Sequence, residues 1–307
     1  MGAVTASRSP RRRDATGVIL TAVSAVFFGS LAIYGKLAER LGIPLTELLA
    51  VRFGLAGAIL WVLALVRRER LWWGRRSLGL VVMGLLYVGQ AATFFSSLRT
   101  VPAAVTSILL YLYPVIVMLI AAGFLGERLG RTRLVAVAVA GAGVFAVVNP
   151  LAAQGSIAAA GVLLGLGTAV IYAAYILTGC VLLRDMPAVV AAAAIATTAG
   201  ATLALAGAAG GQLRPLTGTA IALAGSMAVV ATAIPVTLLL AGLARVGATR
   251  AAIISTLEPA TTVLLAALVL GETLGPVRLA GGALILAAAV IVARNVPASR
   301  AEVPVRE

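Results

Sequence analysis

From residue 16 to residue 294 the chain is a succession of apolar runs separated by short hydrophilic breaks. A helix rising 1.5 Å per residue needs about 20 mainly apolar residues to cross the hydrocarbon core of a bilayer. Ten stretches reach that length, roughly 16–36, 46–66, 78–98, 102–124, 131–149, 158–181, 187–208, 217–240, 247–270 and 276–294. The breaks carry turn and charge signals, such as RRERLWWGRR at 67–76, GERLG at 126–130, NPLAAQGS at 149–156, RDMP at 184–187 and GGQLRPLTG at 210–218. No hydrophilic stretch between the runs is long enough to form a soluble domain. In lipid the backbone must satisfy its own hydrogen bonds, so runs of this length fold as helices. The expected fold is an all-α membrane protein of ten transmembrane helices.

Composition agrees: 62% of the 307 residues are hydrophobic and 11% are charged. Soluble domains run at about 45–50% apolar and about 25% charged. Histidine is absent and Cys180 is the single cysteine, so no internal disulfide forms. Without those ligands a zinc or copper cage is not expected, and no metal or cofactor is assigned. The net charge of +14 is explained by topology. With the N-terminus in the cytoplasm, eighteen basic residues fall on the inner side and five on the outer: Lys36, Arg40, Arg99, Arg214 and Arg278. That is the positive-inside bias of an inner-membrane protein with both termini cytoplasmic. The basic residues form no continuous face outside the loops, so nucleic acid is not an expected partner. Trp61, Trp72 and Trp73 cluster at the inner end of span two, as an aromatic belt would. The opening SRSPRRRDATGVILTAVSAVFFGS has the basic and apolar parts of a signal peptide, but its apolar run continues to a full span and nine more follow.

The chain repeats itself. LYPVIVMLIAAGFLGERLG at 112–130 is written again as LEPATTVLLAALVLGETLG at 257–275, 145 residues later. Leu98–Leu134 aligned with Leu243–Leu279 gives 16 identities in 37 positions without a gap, among them Pro114 with Pro259, Glu127 with Glu272 and Arg133 with Arg278. SAVFFGSLAIYG at 24–35 has a weaker echo in TAVIYAAYILTG at 168–179. The expected organisation is a tail at 1–15, a five-helix repeat at 16–149, a second at 158–294 and a tail at 295–307. Five is odd, so the second repeat enters the membrane from the opposite side. Inverted repeats of this kind place a site near the midplane of many secondary transporters.

These features (ten spans, two five-helix units, the fourth helix of each unit written xP…LGE.LG, and RFGLAGAI in span two) resemble the drug/metabolite transporter superfamily, EamA type. The resemblance covers about residues 16–294. It implies a ten-helix transporter with a central cavity, moving small metabolites, amino acids among them, on gradients rather than ATP. Independently, the chain has no Gly-x-x-x-x-Gly-Lys-Ser/Thr phosphate loop.

Several residues stand out against the apolar background. Glu258 lies near the middle of span nine beside Pro259, and its repeat counterpart is Tyr113. A carboxyl at that depth is costly and reads as functional, with the proton as a candidate coupling ion. Arg52, the other embedded charge, is a candidate to pair with Glu258, to hold a substrate carboxylate, or to snorkel outward. Tyr87, Tyr113 and Tyr172 sit too deep for an interface belt, and Tyr172 and Tyr175 share a helix face. With Gln90 and Glu258 they are the candidate lining of a substrate cavity. Pro114 and Pro259 fall near the centres of their spans, where a proline kinks a helix. Glu127 and Glu272 end the repeated phrase, placed to serve the following helix or to pair with a nearby arginine.

The function these residues point to is a secondary transporter of a small organic metabolite, an amino acid or related solute, with export favoured and alternating access as the mechanism. Drug or dye efflux and metabolite uptake fit the same fold, and a membrane-embedded partner subunit is the non-transport alternative. An enzyme is not expected: an intramembrane protease of rhomboid type needs histidine, and a prenyl-type transferase needs an acidic magnesium cluster. Partners are the small-molecule substrate and the lipid bilayer.

Overall fold

The computed structural model describes residues 10–70, 76–125, 130–148, 158–183, 186–211 and 217–294. Among these, all regular structure is helical. Ten helices are long and apolar enough to cross a membrane: Ala15–Arg40, Leu45–Val66, Ser77–Ser97, Ala103–Ile120, Arg131–Val148, Ala159–Gly179, Ala188–Ala209, Gly218–Val246, Arg250–Leu270 and Pro276–Arg294. They are referred to below as spans one to ten.

The packing carries the repeat. Span two lies on span seven, and span five on span ten. Span three packs on spans six and seven, as span eight packs on spans one and two. Span four packs on span six, as span nine packs on span one. Exchanging the two sets of five maps each of these pairings onto itself or another, as two inverted repeats about a pseudo-twofold axis require. The self-paired helices meet through glycine. A Cβ on Gly200 would stand 2.8 Å from the backbone nitrogen of Gly54, and one on Gly143 the same 2.8 Å from the carbonyl oxygen of Gly281. Helices in lipid gain little from hiding apolar surface from each other, so close backbone approach at small residues holds them together.

Four spans are interrupted. Span one breaks at Ser30, between Pro10–Gly29 and Leu31–Arg40. Span eight contains a π-helical turn, Val229–Ala233, just before Pro235. Spans four and nine break at matching places. Ala103–Leu110 is followed by Tyr113–Leu125, and Ala248–Ile254 by Leu257–Leu265. The two prolines were expected to kink continuous helices. Instead each sits in the first turn of a new helix, where its missing N–H leaves no intrahelical bond unmade. The breaks fall at 111–112 and 255–256, and Tyr113 and Glu258, which precede the prolines, are already helical. Shorter i to i−3 bonds close the gaps, from Leu112 to Leu109 and from Glu258 to Ser255.

Candidate functional site

Pro259 has no amide to bond the carbonyl four residues back, at Ser255, which accepts instead from the Glu258 amide at 3.0 Å. A carbonyl carries two lone pairs, so it has room for a second donor. Tyr111, at the break of span four, supplies it: its hydroxyl donates to the Ser255 carbonyl and lies 3.0 Å from the Glu258 carboxylate. The interruption of one repeat is therefore tied to the interruption of the other. Ser107 Oγ donates to Thr262 Oγ1 at 3.2 Å one turn away, and Thr262 donates in turn to the Gly29 carbonyl at 2.9 Å, beside the break of span one.

A ladder of aromatic rings leads away from Glu258. Tyr111 meets Tyr113 edge-on at 5.9 Å between centroids, and Tyr113 meets Tyr172 at 4.7 Å. Tyr172 and Tyr175, one turn apart on span six, stack at 5.7 Å with their planes 9° apart. Tyr175 reaches Tyr87 of span three at 5.7 Å, and Tyr87 reaches Phe53 of span two at 5.1 Å. Tyr87, Tyr113, Tyr172, Tyr175 and Glu258 are each half-buried, whereas Tyr111 is buried. Gln90 is buried one turn beyond Tyr87. Tyr113 and Tyr172 also lie close enough to Glu258 to feel its charge. The structure thus brings the four tyrosines expected to line a cavity, together with Glu258, into one chain of contacts. Tyr111 belongs to it as well. The sequence signal for it was available, as it stands four residues N-terminal to Val115 of the proline turn, but its use depends on a carbonyl that only the fold exposes.

Arg52 occupies the far end. It is 1% exposed, so it does not snorkel. Its Nε donates to Thr232 Oγ1 in the π-helical turn at 2.8 Å. Its guanidinium carbon sits 4.5 Å over the Phe53 ring and 5.8 Å from that of Phe95. The Tyr87 hydroxyl lies beside it. Arg52 does not pair with Glu258; the ion pair found among the described residues is Lys36 with Glu39 at 3.3 Å. The two embedded charges stand at opposite ends of the ladder: span two packs chiefly on spans seven and eight and meets the ladder through Phe53 and Tyr87, whereas Glu258 lies on span nine. Thr232 and Tyr87 are themselves 145 residues apart, so Arg52 is held between repeat-equivalent positions.

The Gly-Glu phrase has a local and a distant role. Gly271 takes φ +70°, the left-handed geometry that ends a helix, and the Glu272 amide bonds back to the Ala266 carbonyl at 3.1 Å. Gly271 thus ends the π-helical last turn of span nine in a left-handed cap, a conformation glycine adopts without strain. The Glu272 carboxylate does not serve span ten or pair with an arginine, as the sequence suggested. It accepts from the Ala103 amide with both oxygens, at 2.9 and 3.2 Å. It therefore caps the first turn of span four, in the other repeat, where helix N–H groups lack partners. Arg40, at the end of span one, donates to the Leu270 carbonyl at 2.9 Å. Spans one, nine and four are so linked at one membrane face. A shallow pocket lined by Ala104, Val263, Glu272 and Leu274 lies at this cap, away from the tyrosines. Glu127, the matching glutamate of the first repeat, lies outside the described residues.

Ten membrane helices in two inverted repeats, broken at matching midpoints around a polar and aromatic seam, define a membrane transporter fold. The sequence model of the EamA-like transporter family matches residues 15–149 and again 159–294, and the chain belongs to that family. It is 30% identical over 298 residues to a protein of Bacillus subtilis (strain 168) described as "Uncharacterized transporter YcbK", covering 89% of this chain and 91% of that one. A solved structure described as "Crystal structure of protein" shares the fold at TM-score 0.63 and 22% identity, over 90% of this chain and 94% of that one. The protein is a multi-pass membrane transporter.

Proposed function

We propose that the protein is a secondary transporter that carries a small organic metabolite, an amino acid or related solute, across the cytoplasmic membrane. Both termini lie in the cytoplasm, the direction is export, and the mechanism is alternating access. The observation that carries this reading is the ladder from Tyr87 through Tyr175, Tyr172 and Tyr113 to Tyr111 and Glu258. It runs through helices of both repeats and ends at the breaks of spans four and nine, so a movement of one repeat against the other changes its spacing. Half-buried ring faces offer stacking surface to an organic solute, and their hydroxyls offer hydrogen bonds. The Glu272 cap on Ala103 and the Arg40 bond to Leu270 tie the face where span nine ends. Under the proposed orientation that face is outer, and these bonds part when the site opens outward. Transport of this kind follows from inverted repeats, because two copies of one structure can exchange conformations.

Glu258 is the proposed proton site. It is the carboxyl in the seam, and the titratable groups that face it are Tyr111, Tyr113 and Tyr172. A protonated Glu258 can donate to the Tyr111 oxygen while Tyr111 donates to the Ser255 carbonyl. An ionised Glu258 competes with that carbonyl for the one hydroxyl proton. Protonation therefore alters the tie between spans four and nine. The test is flux in proteoliposomes containing only this chain. Glu258→Gln is expected to abolish stimulation by a pH gradient while counterflow exchange of substrate continues. An unchanged pH response in Glu258→Gln refutes the proton role; absence of any solute flux from the wild-type protein across a metabolite panel refutes the transport reading.

A further inference from the structure

We propose that Arg52 is the anchor for an anionic group on the transported solute, and that the solute is an organic carboxylate with an apolar or aromatic body. This rests on the ladder being the transport site. Arg52 is buried, and only part of its guanidinium is accounted for. Nε bonds Thr232, the plane lies over Phe53 and Phe95, and Nη2 has no hydrogen-bond partner. A purely structural anchor explains the first two contacts and leaves both the free donor and the charge unexplained. A buried cation without a counter-charge is expensive, far more than a missing neutral hydrogen bond. Ring faces ease that cost without neutralising it.

No carboxylate among the described residues pairs with it. Glu258 is bonded to Tyr111 at the other end of the ladder. Glu47 is on the same helix five residues earlier, about 140° around the axis at 3.6 residues per turn. The neutralising group is therefore supplied from outside, and the ring shared by Arg52 and the ladder, Tyr87, places it at the end of the transport site. A guanidinium recognises a planar carboxylate through paired N–H bonds. One arginine, with no second cation among the described residues of the ladder, suits a singly charged carboxylate better than a phosphate dianion. The ring faces of Tyr87, Tyr175 and Tyr172 then take the apolar part of the solute.

The experiment is thermal unfolding of the purified full-length protein in detergent with four probes sharing one ring: phenylacetate, phenylacetamide, L-phenylalanine and phenethylamine. Phenylacetate and L-phenylalanine are expected to raise the unfolding temperature, and the neutral amide and the amine are not. Arg52→Gln is expected to raise the half-saturating concentration of phenylacetate by at least about tenfold, the scale of one charged hydrogen bond. Arg52→Lys keeps the charge but not the fork, and is expected to retain a weaker carboxylate preference; it carries the test if Arg52→Gln does not fold. Thr232→Val frees Nε without touching the charge and is expected to keep the preference. Equal stabilisation of the wild-type protein by phenylacetate and phenylacetamide, or by none of the four, overturns the proposal, as does an undiminished preference in both Arg52 variants. The amide and the acid binding equally, with both lost in Tyr172→Ala, would sink the carboxylate anchor and leave the ladder as the transport site.

Discussion

Pro259 removes one amide proton, and the consequences organise this part of the molecule. The Ser255 carbonyl, bonded by the Glu258 amide in place of a proline N–H, also takes the Tyr111 hydroxyl, and the Glu258 carboxylate shares that hydroxyl. Tyr111→Phe keeps the ring and its contact with Tyr113 but removes the hydroxyl donor, leaving the Ser255 carbonyl only its Glu258 amide and the Glu258 carboxylate without its Tyr111 donor. Leaving a buried acceptor unsatisfied costs about 1–3 kcal/mol. The variant is expected to unfold at lower temperature than the wild type and to show a shifted pH dependence of transport, read in detergent and in proteoliposomes respectively. Tyr113→Phe removes a hydroxyl that bonds neither acceptor, and should change stability far less. Equal losses in the two variants would mean that the Tyr111 bond contributes nothing beyond ring packing.

At the scale of the helices, matching breaks in spans four and nine give two half-helices per span and a hinge between them. Tyr111 and Pro259 act on one carbonyl, Ser255, so substitutions at the two positions are expected to couple. Pro259→Ala restores an amide able to reach the Ser255 carbonyl and lets span nine run on as one helix. In that background Tyr111→Phe should cost less than it does alone, so the two substitutions couple. A double-mutant cycle on unfolding free energy is expected to give a coupling of about 0.5–2 kcal/mol. Additive losses would show that the tyrosine does not serve the carbonyl. The straightened helix is also expected to transport poorly, since a continuous span nine removes the joint on which the seam moves.

For the molecule as a whole, the arginine distribution and the odd number of spans per repeat predict which side each loop faces. Reporter fusions after Gly42, Arg99 and Gly210 are expected on the outside, and those after Glu69, Leu183 and Gly247 in the cytoplasm. A cytoplasmic signal after Gly42 would reverse the orientation and with it the face on which Glu272 caps span four. The ten spans, their near boundaries, the two copies and the deep carboxyl are legible in the residues alone. Each of these is written in local quantities: hydropathy over about 20 residues, repeated residues at a constant offset, and a charge in an apolar run. Only the tertiary structure decided what the special residues touch. Glu272 was legible as a helix end, yet its carboxylate reaches across to Ala103, 169 residues away. Arg52 was legible as an embedded charge, yet whether it snorkelled, met Glu258 or stayed buried beside Thr232 depended on which spans pack against span two. Tyr111 was one tyrosine among six until span nine brought it the Ser255 carbonyl and the Glu258 carboxylate. The physical reason is the same in all three cases. In a membrane the helices form from local hydrogen bonds, whereas polar groups left over at breaks and ends find partners only on whichever helix the packing of small residues brings alongside.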